Sequence, residues 1–243
     1  MAKRLIDIKK NIESENENFN RFFFISINLE IKNFISKLMT RTNVFIFSGI
    51  IRDYYLHREN RNFRDIDLII YDDLIIEEYF DNLSFEKNSF GGYKIKFSNI
   101  VIDLWVIKNT WALNQGQLKL EFDHLVELPK TTFFNFSSII YSLNDRQFII
   151  GKDFLRFIRD KKIELVLDKN PYPELCIVNS FYYSDKLKLN FGDKLKEYLK
   201  LNIDQYMRDL EFIQLKHFGK IKYKSTELKQ RIEDLQLTKA HKS

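Results

Sequence analysis

The chain has 243 residues, 44% hydrophobic and 15% aromatic, enough apolar material for a sizeable core, and this excludes global disorder. Seven glycines and three prolines exclude a collagen-like or proline-rich architecture, and a single cysteine, Cys176, excludes an internal disulfide framework or a cysteine-rich zinc site. Lys and Arg outnumber Asp and Glu by 39 to 34, a net charge of +5 that suits a polyanionic partner without demanding one.

Residues 1–20 are polar and rich in Asn and Glu, and read as a partly ordered lead-in. Residues 21–40 place Leu29, Ile31, Phe34, Ile35 and Leu38 at helical spacing, so residues 1–40 form a helical N-terminal segment. Val44–Phe47 is a short buried strand, and Gly49 opens a helix through Ile50-Ile51-Arg52-Asp53-Tyr54-Tyr55-Leu56-His57. Residues 64–72 read as a second strand and 73–83 as a helix. Residues 91–97 and 99–107 are two β-rich runs joined across Ser98-Asn99, a hairpin signal. After an irregular stretch over 109–128, residues 131–143 and 146–151 pair around Asn144-Asp145. A short helix (153–162) and a final strand (163–167) follow. Beyond Asn170-Pro171-Tyr172-Pro173 the spacing turns helical to the end. The expected organisation is therefore a head over 41–170 and a helical region over 171–243, in an α+β fold with a mixed sheet flanked by helices. The beginning of the sequence lacks the apolar run of a signal peptide and no stretch reaches membrane-spanning length, so a cytoplasmic protein with no membrane partner is expected.

The chemistry concentrates in three acids. On a strand, successive side chains alternate faces, so Asp65 and Asp67 point the same way while Ile66 and Leu68 point to the core. Two neighbouring carboxylates repel unless a cation lies between them, and an all-oxygen donor set suits Mg²⁺ or Mn²⁺. Asp103 is a third carboxylate, alone among Val101, Ile102, Leu104, Trp105 and Val106, where burial without a partner is costly. Bringing it beside Asp65 and Asp67 explains all three. Ser48-Gly49 at a helix start offers close backbone approach, unpaired N–H groups and a hydroxyl, which together suit a phosphate. Arg52, one turn on, either contacts phosphate or pairs with Asp53 or another nearby acid.

Ser48-Gly49-Ile50-Ile51-Arg52-Asp53, then a loop over Tyr54–Arg64, then Asp65-Ile66-Asp67, resembles the head of the tRNA CCA-adding enzymes and bacterial poly(A) polymerases, nucleotidyltransferases of the DNA polymerase β-like superfamily. Their pattern is Gly-Gly-x-Val-Arg-Asp followed by Asp-x-Asp, with a third acid on a later strand, here Asp103. The resemblance runs over about residues 40–108 and implies catalytic and metal-holding roles for Asp65, Asp67 and Asp103. It further implies nucleotide binding by Ser48, Gly49, Arg52 and Asp53, with Mg²⁺ or Mn²⁺ as cofactor. The implied reaction is template-independent transfer of NMP or dNMP from a nucleoside triphosphate to a hydroxyl, with release of pyrophosphate. The acceptor stays open: an RNA or DNA 3′ end, another nucleotide, or a protein or tRNA target. So does the oligomeric state.

Further along, the resemblance thins. Where the family has Arg-Arg-Asp-x-x-x-Asn, this chain keeps only Asn135, and where the family has a Glu-Asp-x-x-Arg helix, it offers Glu174, Cys176 and Asn179. Asn135 and Asn179 are therefore the nucleotide-contact candidates on that side. The missing base-reading pair points away from CCA addition, toward a specialised bacterial branch such as stress or phage defence. The alternative is an inactive nucleotide- or nucleic-acid-binding module of the same fold. His57, His124, His217 and His241 lack metal-ligand spacing, and the lysines of the C-terminal helices are either a solvated face or a track for a nucleic-acid backbone.

Overall fold

The computed structural model describes residues 4–56, 64–72, 74–80, 83–88, 90–118 and 123–240. The chain divides into two compact units: Met1–Thr132 with Phe136–Arg159, and Phe133–Asn135 with Asp160–Ser243.

The first unit opens with three helices, α1 (Leu5–Glu13), α2 (Asn16–Ser26) and α3 (Leu29–Met39). The lead-in is thus folded: Ile8 and Ile12, one turn apart, are buried, and so is Phe19. Phe19 packs edge-on to Tyr54 and Tyr141, with ring centroids 5.2 and 4.7 Å apart. The apolar run over 21–40 is not one helix. It breaks at Ile27-Asn28, where both residues are extended and the Asn28 side chain accepts a hydrogen bond from the Ile31 N–H at 2.9 Å, capping α3.

A seven-stranded mixed sheet follows, built from β1 (Val44–Phe47), β2 (Asp65–Ile70), β3 (Ser84–Lys87), β4 (Tyr93–Lys96), β5 (Val101–Val106), β6 (Ile139–Ser142) and β7 (Gln147–Ile150), in spatial order β3-β4-β5-β2-β1-β6-β7. Only β2 and β5 run parallel; the other neighbours are antiparallel. Helix α4 (Gly49–Leu56) leaves β1 and packs back on β1 and β2, and α3 packs on β1. The helix expected over 73–83 is a single 3₁₀ turn, Ile76–Tyr79, with Asp73, Asp81 and Asn82 outside the described residues. The segment after β5 carries two four-residue helices, α5 (Trp111–Asn114) and α6 (His124–Glu127), and α7 (Lys152–Asp160) follows β7.

Pleating sorts β2 cleanly. Ile66, Leu68 and Ile70 point to one side and are fully buried, while Asp65, Asp67 and Ile69 point to the other. On that second side Ile69 joins Phe45, Ile107, Leu128 and Ile140 in an apolar cluster, with Trp105 and Phe47 packed against it. One face of the sheet is therefore greasy at one end and acidic at the other.

The second unit carries α8 (Pro173–Leu187), α9 (Asp193–Tyr206), α10 (Leu210–Phe218) and α11 (Ser225–Ala240). The strand expected over 163–167 shrinks to β8 (Lys162–Ile163), paired in parallel with β9 (Asn190–Phe191), plus one bridge from Leu165 to Phe134. Gln214 is fully buried and latches the turn after α10: its amide donates to the Leu210 and Tyr223 carbonyls and accepts from the Lys222 and Tyr223 N–H groups, all at 2.9 Å. No helix among the described residues is long and apolar enough to cross a membrane.

Candidate active site

The parallel pairing of β2 with β5 aligns Asp67 with Asp103, flanked by Ile66–Ile102 and Leu68–Leu104. Residues paired across strands point to the same side, so Asp65, Asp67 and Asp103 share one face. All three are part-buried. Asp67, at the centre, is pushed up to about 7, first by burial and then by repulsion from Asp103 and Asp65; the cations Arg52 and Lys94 only partly offset this. Burial also raises Asp103, against the pull of Lys94.

The donor set fits a hard divalent cation: carboxylate oxygens only, crowded enough that the central acid holds its proton far above the usual carboxylate range. As the side chains stand, however, no three acidic, His or Cys groups among the described residues converge into a metal-holding cluster. The outer acids turn to local cations instead. Arg64 Nε donates to Asp65 Oδ2 at 2.6 Å, with Nη2 at 2.5 Å from the same oxygen. Lys94 Nζ stands 3.7 Å from Asp103 Oδ1, because β4 pairs Lys94 directly with Asp103. Neither cation was among the residues singled out from the sequence. The signal for Lys94 was its place in the β4 alternation, legible only once the hairpin register was known.

Ser48 and Gly49 link β1 to α4. Ser48 carries a left-handed backbone (φ 51°), a conformation that costs an L-residue about 1–2 kcal/mol. The conformational freedom expected of Gly49 is thus needed one residue earlier, at the position where the resembling pattern has its first glycine. What Gly49 provides is room: a Cβ there would meet nothing within 4 Å. Ser48 itself is buried, its N–H bonded to the Ile139 carbonyl at 3.2 Å and its carbonyl accepting from the Arg52 N–H at 2.9 Å.

Arg52 settles toward an ion pair. Its guanidinium is buried, Nε donates to Asp53 Oδ1 at 2.7 Å, and it lies 5.4 Å from the centroid of the Phe136 ring. Asn135, in the second unit, spends its amide on structure: Nδ2 donates to the Lys162 carbonyl and Oδ1 accepts from the Glu164 N–H, both at 3.0 Å. Asn179 is half-buried on α8, three residues after Cys176, whose thiol is buried and pushed well up by burial. Trp105 belongs to the core, its indole N–H donating to Thr110 Oγ1 at 3.1 Å and its ring edge-on to Phe47.

A mixed sheet with three acids on one face, and a helix springing from a Ser-Gly turn, is a fold similar to that of solved CCA-adding enzymes. Among solved structures, a CCA-adding enzyme in complex with CTP matches with a TM-score of 0.63 at 14% identity, over 89% of this chain and 54% of that one. The Thermotoga maritima CCA-adding enzyme complexed with tRNA matches at 0.60 and 15%, over 88% and 53%. A tRNA nucleotidyltransferase complexed with a primer tRNA and an incoming ATP analogue matches at 0.53 and 18%, over 74% and 54%. The chain spans about half the length of the solved structures it matches. No family model and no curated protein matches it. At these identities the likeness is one of fold.

Proposed function

We propose that this chain is a template-independent nucleotidyltransferase that moves NMP or dNMP from a nucleoside triphosphate to a hydroxyl. The observation that carries the reading is the Asp67–Asp103 register, which sets three carboxylates on one face of the sheet that also launches α4. Asp65, Asp67 and Asp103 are the residues that would hold Mg²⁺ or Mn²⁺. Such ions, when bound, offset the charge of the triphosphate and acidify the attacking hydroxyl.

The chain's own groups do the rest. The open side of Gly49 admits a phosphate, the first N–H groups of α4 point at it, and the Ser48 hydroxyl can donate to it. Arg52, tied to Asp53 and lying on Phe136, fixes the first turn of α4 and adds positive potential toward Asp67. Chemically, a bond forms between the acceptor oxygen and Pα, the Pα–O–Pβ bond breaks, the hydroxyl proton leaves to a carboxylate or solvent, and pyrophosphate departs. We assign a nucleotide contact to Asn179, whose amide offers a donor and an acceptor. An RNA acceptor is supported by the tRNA held in two of the matching structures.

The test is incubation of the purified chain with each labelled NTP and dNTP and Mg²⁺, with and without RNA, read by gel and by pyrophosphate release. Release is expected from wild type and not from Asp67→Ala, which should fold normally. Near-normal turnover by Asp67→Ala would overturn the assignment.

A further inference from the structure

The three acids lie side by side in sequence register, yet their side chains do not gather about a common point. The reason is visible at each flank. Arg64 is the residue just before β2, and its carbonyl is tied to the sheet by the Val101 N–H at 3.0 Å. Its side chain is 86% exposed but folds back so that two nitrogens reach one oxygen of Asp65. On the other flank, β4 places Lys94 opposite Asp103, on the acidic face, with half of its side chain exposed. Each outer carboxylate thus has a cation anchored on the sheet and swung over it.

We propose that Arg64 and Lys94 are resident counter-ions of the site, holding Asp65 and Asp103 apart until a triphosphate arrives and then passing from the carboxylates to its oxygens. The inference rests on the nucleotidyltransferase reading. Exposed ion pairs of this sort are weak enough to exchange partners. A triphosphate carries more negative charge than one carboxylate and accepts readily from a guanidinium fork. A divalent ion entering alone must displace both cations and sit close to their charge. A divalent ion entering with its nucleotide gives both cations a better anion at the same moment. Metal and triphosphate therefore bind as a pair, and the metal alone binds poorly. Both side chains project from backbone fixed in the sheet, so neither movement requires the fold to change.

The experiment is Mn²⁺ binding to the full chain without nucleotide, followed by the electron paramagnetic resonance signal of free Mn²⁺. The proteins compared are wild type, Arg64→Gln, Lys94→Gln, the double variant, and Asp67→Asn as the site control. Lys96→Gln removes the same charge from β4 at a lysine paired with Glu86 and serves as the charge control. The expected result is that the double variant binds Mn²⁺ at least fivefold more tightly than wild type while Lys96→Gln shifts affinity less than twofold. Adding a non-hydrolysable ATP or CTP analogue should tighten Mn²⁺ on wild type by more than it does on the double variant. Equal Mn²⁺ affinity in wild type and double variant overturns this inference and leaves the nucleotidyltransferase reading intact. Mn²⁺ binding that Asp67→Asn leaves unchanged in every background overturns both.

Discussion

At the scale of single residues, Asp67 has the strongest consequence for stability. Its folded-state pKa of about 7 lies above the ordinary carboxylate value of 3.8, so in metal-free protein the folded chain keeps a proton that the unfolded chain gives up. The sign follows: this group favours folding at low pH, and its contribution is lost as pH rises through the interval between about 4 and about 7. Asp67→Asn should therefore melt higher than wild type in EDTA at pH 8, by ~2–4 °C for each kcal/mol recovered. The gap should narrow at pH 5, and saturating Mg²⁺ should reverse it by stabilising wild type alone. A gap of equal size at both pH values would mean that Asp67 is not held under this repulsion. Gly49 supplies a complementary case. A methyl group there enters open space, so Gly49→Ala should keep its stability to within about 1 kcal/mol, the usual Gly-to-Ala range in a helix. If the phosphates rest against that face, pyrophosphate release should nonetheless fall by tenfold or more, which corresponds to ~1.4 kcal/mol of lost transition-state binding. Unchanged release would place the triphosphate elsewhere.

At the scale of elements, what could be read in the chain tracks how much of each element is buried on one side. The alternation in β2 and β5, with acids breaking otherwise apolar runs, identified both strands and the three carboxylates before any register was known. The hairpin of β4 and β5, and that of β6 and β7, showed through their turn residues. Strand β3 was illegible because all four of its residues are exposed and it is an edge strand, paired with β4 alone. The break between α2 and α3 was hidden for another reason: Asn28 looks like one more polar residue in a periodic run until its side chain is seen to cap Ile31. Likewise the place of Asn135 in a familiar pattern made it a nucleotide-contact candidate without revealing the Lys162 and Glu164 backbone groups, 27 and 29 residues away, that its amide also meets. The start of α9 makes an element-scale prediction. Glu164 accepts from the Leu195 N–H at 2.7 Å and from its own neighbour Leu165 at 2.9 Å, satisfying a helix end that Gly192 itself cannot cap. A Cβ on Gly192 would lie 2.1 Å from Glu164 Oε2. Gly192→Ala should therefore expel the carboxylate and cost about 1–2 kcal/mol in urea unfolding, the size of a lost cap. Glu164→Ala should cost a similar amount and make the Gly192 change nearly neutral in the double variant, since the two act through one contact.

At the scale of the whole molecule, the proposed activity leaves open which nucleotide is used. The matching structures bind CTP, ATP and tRNA, but the chain spans only about half of their length and is 14–18% identical to them where they match. On the proposed reading, the three acids and the Ser-Gly turn carry nucleotide transfer. Helix α8 does not keep the Asp and Arg by which the resembling family reads a base. On α8 the candidates are Glu174 and Asn179, both half-buried, and Cys176, which is buried with its thiol held neutral by burial and is a poor hydrogen-bonding group in any case. Switching from C to A within one site needs polar groups that can present two patterns, and a single amide on a helix whose other candidates are a carboxylate and an inert thiol offers a narrower choice. Polar groups that fit one base edge reject another strongly, because the mismatched edge leaves them unpaired. The chain should therefore add one nucleotide type, or a narrow set, to its acceptor. Given tRNA lacking its terminal CCA together with CTP and ATP, it should give no extension or a run of one nucleotide, resolved on a sequencing gel. Asn179→Ala should broaden which nucleotide is used, with Asp67→Ala as the inactive control. Faithful three-nucleotide extension ending in A would show that base choice is built here from other groups, and that the chain performs the complete CCA reaction.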